Sequence, residues 1–156
     1  MFVFTDEAEL KIEKIMAKYP VKRSALLPLL HLAQVQEGYV TPEAMEEIAR
    51  RLDVSPAYVE SVCTFYTMYF TQPVGRNVIR FCHNISCKLH RADEMIQYVA
   101  DKLGIQAGET TPDKRYTLVK EECLAACSEA PMMTINNTYH VNLTKEKIDQ
   151  ILESYK

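Results

Sequence analysis

Four of the five cysteines in this 156-residue sequence fall into two close pairs. Cys82 and Cys87 enclose four residues, Cys123 and Cys127 enclose three, and residues 88 to 122 separate the pairs. Four thiolates drawn from two neighbouring loops make a closed sulfur site, the ligand set of a two-iron two-sulfur cluster. Soft sulfur ligands also select zinc, so the ligand set alone leaves both metals open. Structural zinc sites favour tighter pairs, often with two residues between the cysteines, and the spacing therefore leans toward the cluster. A thioredoxin-type redox pair would want C-x-x-C at the start of a helix, which is absent. Nucleophilic catalysis would want a cysteine paired with a histidine base, for which His83 beside Cys82 is a weak signal. The remaining alternative is four thiols buried as small hydrophobes, and their placement in two paired loops counts against it.

Composition narrows the classes further. Five cysteines with no sign of export argue for metal or thiol chemistry over a disulfide framework. The formal net charge of -3, from 18 basic and 21 acidic residues, offers no basic surplus for nucleic acid. With 4 glycines and no G-x-G-x-x-G after a strand, the chain has no dinucleotide cradle of its own. Asp6, Glu7 and Glu9 stand where a secretion signal needs a basic start, and no stretch approaches the ~18 apolar residues of a membrane span. These features predict a cytoplasmic protein with no direct membrane insertion, any membrane association being made through partners. The sequons at Asn84, Asn136 and Asn142 are for that reason not read as glycosylation sites.

The elements that must position the thiols follow from periodicity. Ala8, Ile12, Ile15, Met16 and Tyr19 form a helical stripe opened by Asp6 with Glu9 as a capping box and stopped by Pro20. Leu26 to Val35 is apolar nearly all round and ends at Gly38, with Pro28 in its first turn. Thr41-Pro42 and Ser55-Pro56 are N-cap and N1 pairs that each start a further helix. Met45, Ile48, Ala49 and Leu52 are expected inward from the first, and Tyr58, Val62, Phe65 and Tyr69 from the second. Pro73 and Gly75 then break the pattern.

The second half reads as a strand at Asn77 to Cys82 and a helix from about residue 88, with Ala92, Met95, Ile96, Val99 and Leu103 inward and Gly104 as its stop. A strand at Tyr116 to Lys120 follows. Met132 to Ile135 and Tyr139 to Val141 flank the hairpin dipeptide Asn136-Asn137, and a last helix carries Ile148, Ile151, Leu152 and Tyr155. The expected fold is α+β: a four-helix bundle over residues 1–72, then a β-α-β-β-α domain over 76–156. Both pairs of cysteines begin where a strand has just ended.

Several stretches carry a resemblance. Thr64-Phe65-Tyr66, Gln72-Pro73-Val74-Gly75, Ser86-Cys87-Lys88-Leu89, Gly108 to Asp113, Tyr116-Thr117-Leu118, Glu122-Cys123-Leu124 through Cys127, and Ala130-Pro131 stand in the order and spacing of one family. The chain resembles the E subunits of bacterial NADH:quinone oxidoreductase (complex I) over nearly its whole length. The resemblance implies a thioredoxin-like domain holding a 2Fe-2S cluster on Cys82, Cys87, Cys123 and Cys127. It also implies docking on a flavoprotein subunit that binds FMN and NADH, in a complex peripheral to the inner membrane. An electron-transfer role follows, with no catalysis by the isolated chain. Diaphorase subunits of NAD-linked hydrogenases and formate dehydrogenases share the pattern, and a zinc-stabilised structural adaptor is the rival from another class. The chain departs from the family at Ala125, near Arg91 and at Lys114, where glycine is usual, which points to backbone at positive φ or to close backbone approach.

Other residues have simpler expectations. Cys63 is expected as a packed thiol and His83 as a solvated loop histidine, the alternative being a hydrogen-bond donor that tunes the cluster; His31, His90 and His140 are expected to be structural. Phe65, Tyr66, Tyr69 and Phe70 divide between bundle core and docking face. Pro131 either faces the cluster or opens an edge strand.

Overall fold

The computed structural model describes residues 2–155 and divides into two compact units, Met1–Pro73 and Val74–Lys156. Among the described residues the fold is mixed, with seven α-helices and one four-stranded sheet.

The first unit contains α1 (Asp6–Met16), α2 (Leu26–Glu37), α3 (Pro42–Leu52) and α4 (Pro56–Phe65), with a turn of 3₁₀ helix at Lys22–Ala25 leading into α2. The Thr41 and Ser55 hydroxyls accept the amides of Ala44 and Tyr58, so both proline-led helices start as expected. Gly38 closes α2 at φ 83, a conformation open to glycine without penalty. Arg51 joins α3 to α1 by donating to both carboxylate oxygens of Glu9, while also reaching Glu47.

Three expectations for this unit need correction. The cap of α1 is Thr5, whose hydroxyl accepts from the Ala8 amide, and not Asp6, which is the first helical residue. The helix also ends at Met16 and leaves Tyr19 outside it. On α4 the buried residues are Val59 and Cys63, with Val62 half-buried and Tyr58 and Phe65 exposed. This helix carries apolar side chains on two adjacent faces, so its period alone could not choose between them.

In the second unit, β1 (Asn77–Cys82) lies between β2 (Tyr116–Glu121) and β3 (Met133–Ile135), and β4 (Thr138–His140) forms the outer edge. β1 runs parallel to β2 from Asn77↔Tyr116 to Cys82↔Glu121, while β3 is antiparallel to both β1 and β4. A parallel pair requires a crossover. It is made by α5 (Ile85–Leu89) and α6 (Ala92–Leu103), and α7 (Lys145–Ser154) closes the chain. Ile79, Phe81, Leu118, Met133 and Ile135 pack with Ile96, Val99 and Ile148 in a shared core.

The helix expected from about residue 88 is thus two helices, separated by Arg91 at φ 65. A residue in that conformation ends one helix and redirects the chain before the next. Pro131 does not open an edge strand, since β3 is flanked on both sides. Gly75 sits where a Cβ would come within 2.7 Å of the Tyr116 backbone, a close approach that explains glycine there.

Candidate functional site

Parallel pairing of β1 and β2 delivers their carboxyl ends to the same end of the sheet, and the four paired cysteines follow from those ends. Cys82 is the last residue of β1 and its register partner is Glu121, two residues before Cys123. The Cys82 amide donates to the Met132 carbonyl at 3.2 Å and the His83 amide to the Glu121 carbonyl at 3.1 Å. The root of the first loop is therefore anchored to both neighbouring strand ends.

Cys87 lies on α5, not in an open loop, and is 1% exposed. Asn84 caps that helix by accepting the Ile85 amide at 2.7 Å. Burial, followed by contact with the Cys82 thiol, raises the Cys87 thiol to about 11, with the charge of Cys127 adding to the rise. The backbone of Met132 opposes this by hydrogen-bonding to the Cys87 sulfur. A thiol of that kind stays protonated near neutrality until something replaces its proton, and a metal does so.

Cys123 and Cys127 are exposed. The Ala125 amide donates to the Cys123 sulfur at 3.4 Å. His83 Nε2 lies 3.4 Å from Glu122 Oε1, joining the residue after Cys82 to the residue before Cys123. The site thus has a buried side made by Cys82 and Cys87 and an open side made by Cys123 and Cys127.

The donor chemistry fits a two-iron cluster. Among the described residues no three His, Cys, Asp or Glu side chains converge as ligands of one metal ion. A two-iron cluster does not ask for that, because its four thiolates are shared between two centres. Cys87 contacts the Cys82 thiol and feels the charge of Cys127, and backbone groups hydrogen-bond to the sulfurs of Cys87 and Cys123, a donor set of the kind that suits such a cluster. Cys63 is remote in character: it is fully buried in the helical unit, where burial and then Glu60 push its thiol up.

The aromatic group divides as the sequence left open. Tyr69 is buried with its hydroxyl donating to the Leu27 carbonyl at 2.8 Å, and Phe70 is half-buried, while Phe65 and Tyr66 are exposed. Sequence reasoning did not single out the exposed pair Ile85 and Leu89, one turn apart on α5 around the buried Cys87. Nor did it find the Met132 backbone contact, since a backbone partner leaves no trace in residue type. It also passed over Arg80 and Glu121, whose signal was legible: each is a charge near the end of a strand, two residues before a cysteine.

A sheet of order β2-β1-β3-β4 that shares its core with α6 and α7, with paired cysteines at and after the carboxyl ends of β1 and β2, defines a thioredoxin-like domain with a thiol-rich end. The chain belongs to the thioredoxin-like [2Fe-2S] ferredoxin family, whose model matches residues 12–156. It is 40% identical over 146 residues to the NADH-quinone oxidoreductase E subunit numbered 2 of Rhizobium meliloti (strain 1021), covering 94% of this chain and 87% of that protein. It is 42% identical over 158 residues to the mitochondrial NADH dehydrogenase [ubiquinone] flavoprotein 2 of Dictyostelium discoideum, covering 99% of this chain and 64% of that one. Its fold is similar to a crystal structure of NAD+-reducing [NiFe]-hydrogenase in the air-oxidized state, with a TM-score of 0.74 and 23% identity. That match covers 84% of this chain and 22% of the hydrogenase chain.

Proposed function

We propose that Cys82, Cys87, Cys123 and Cys127 hold a 2Fe-2S cluster and that the chain is the electron-transfer subunit of an NADH-oxidising complex of the NADH:quinone oxidoreductase type. The observation that carries this reading is that Cys82 ends one of two parallel strands while Cys87, Cys123 and Cys127 follow just beyond their ends, in a chain of this family. When bound, such a cluster takes up and returns single electrons. The chain's own residues supply the four thiolates and backbone hydrogen bonds to sulfur from Ala125 and Met132. Burial of Cys82 and Cys87 keeps water from one side, and the open side at Cys123 and Cys127 is where an electron partner can approach.

The partner is a flavoprotein subunit carrying FMN and NADH, since this chain has no nucleotide cradle. No helix among the described residues is long and apolar enough to cross a membrane, in keeping with attachment to the inner membrane through partner subunits. Residues 1–72 act as a four-helix bundle domain and 76–156 as the cluster domain. The relatives at about 40% identity named for quinone oxidoreductases favour that parent complex over a hydrogenase or formate dehydrogenase.

The purified full chain tests the reading. About two irons and two sulfides per chain, a reddish-brown colour, and NADH oxidation only when the flavoprotein is added are expected. One zinc with no visible absorbance would support the structural adaptor instead.

A further inference from the structure

A charged pair stands behind the two ligand loops. Arg80 Nε lies 3.4 Å from Glu121 Oε1, and the side chains are 15% and 12% exposed. Side chains alternate along a strand, so Arg80 and Cys82 point to one face of β1, opposite to Ile79 and Phe81. Glu121 is the register partner of Cys82 in the parallel pair and shares that face. The carboxylate is therefore next to the first ligand across the sheet and two residues before the third along the chain. A guanidinium stays charged at any ordinary pH. The pair places a guanidinium and a carboxylate beside the first ligand, in a setting little screened by water.

A cluster held by four thiolates gains negative charge when it is reduced, and nearby charges shift its potential. An uncompensated carboxylate beside Cys82 would oppose reduction and an uncompensated guanidinium would favour it. Resting on the cluster reading above, we propose that Arg80 and Glu121 are a charge-matched positioning pair: they tie the ends of β1 and β2 together while cancelling each other's field at the cluster. Arg80 donates to Glu121 across the strands, and the main chain at both residues leads directly into a ligand loop.

The test is a redox titration of the reconstituted full chain, followed by the cluster's electron paramagnetic resonance signal, beside unfolding of the same proteins. Glu121→Gln is expected to raise the midpoint potential and Arg80→Met to lower it. Each shift should be about tenfold in the reduction equilibrium, about 59 mV for one electron. The double variant should return close to the unsubstituted value, and Arg80→Lys should hold the potential while losing some stability. A pair that only braces the fold would lower the unfolding midpoint in both single variants without moving the potential in opposite directions, and that result would overturn the proposal. Loss of iron from every variant would overturn it equally, by making the pair purely structural. An iron-free unsubstituted chain would instead refute the cluster reading on which the proposal rests.

Discussion

The Ala125 amide donates to the Cys123 sulfur at 3.4 Å, and it does so from a backbone held at φ 61. A left-handed conformation of this kind strains any residue with a Cβ by roughly 1 to 2 kcal/mol. Arg91 at φ 65 and Lys114 at φ 54 bear the same strain.

Ala125→Gly should consequently stabilise the chain. The gain is about 0.5 to 1 kcal/mol after the greater freedom of glycine in the unfolded state is subtracted. Urea unfolding would show it as a higher midpoint with an unchanged slope. A lower midpoint would mean that the alanine methyl makes a contact worth more than the strain.

Gly75→Ala should do the reverse. Its Cβ would meet Tyr116 backbone atoms at 2.7, 2.9 and 3.0 Å, and backbone in the parallel ladder has little room to yield. Overpacking of this order costs about 1 to 3 kcal/mol. Thermal unfolding would read the loss directly, and a neutral outcome would mean that the entry to β1 is looser than this packing implies.

The cysteines should separate by role. Cys63→Ala is expected to keep the iron, because its side chain is packed among the helices of the first unit. Cys123→Ser is expected to lose or weaken the cluster, because it replaces a soft ligand by a hard one. Iron and sulfide analysis of both proteins decides the matter, and equal loss from both would contradict the assignment.

Acid stability should carry a contribution from His140. Its Nε2 lies 3.1 Å from the Tyr155 hydroxyl, and burial, then Lys147, lowers its pKa from 6.5. The folded chain thus binds this proton less readily than the unfolded chain. The contribution is present above about pH 6.5 and is lost as pH falls through the unfolded value toward the folded one. His140→Gln should flatten unfolding midpoints below about pH 6.5, and an unchanged pH profile would assign the acid lability to other groups.

Removal of iron should loosen the second unit first. About 80 residues seldom bury enough apolar surface for more than ~3 to 5 kcal/mol of stability, and metal-ligand free energy adds directly to folding. Hydrogen exchange at Val78 to Phe81, Leu118 and Val119 should be faster in the apo protein, with α1 to α4 much less affected. Equal protection in both forms would count against the cluster as a staple.

Much of this architecture was legible because its signals are local. Thr41-Pro42 and Ser55-Pro56 mark helix starts by their own chemistry, and the strand limits at Asn77, Cys82 and Tyr116 follow from short runs bounded by turn residues. The resemblance left positive φ and close backbone approach both open at Arg91, Lys114 and Ala125, and all three have a positive φ. The rest depended on contacts that residue type does not record. Thr5 displaced Asp6 as a cap because either side chain can accept an amide. The buried face of α4 was settled by packing against the other helices, and α5 is too short for periodicity to reveal. Of the site, the cysteine pairs were visible, while the Met132 and Ala125 backbone partners were not.

The hairpin at Asn136-Asn137 lies at the opposite end of the sheet from the thiols, for the Asn136 amide donates to the Val78 carbonyl at 2.9 Å while Cys82 ends the same strand. Four steps of strand, at about 3.3 Å each, put roughly 13 Å between Val78 and Cys82. The rigid central strand is in effect a built-in ruler. A nitroxide attached at residue 137 would sit at a fixed remove from the ligand loops, exposed and clear of the core. Its relaxation would report the presence and oxidation state of a paramagnetic centre at the far end without touching the residues that hold it.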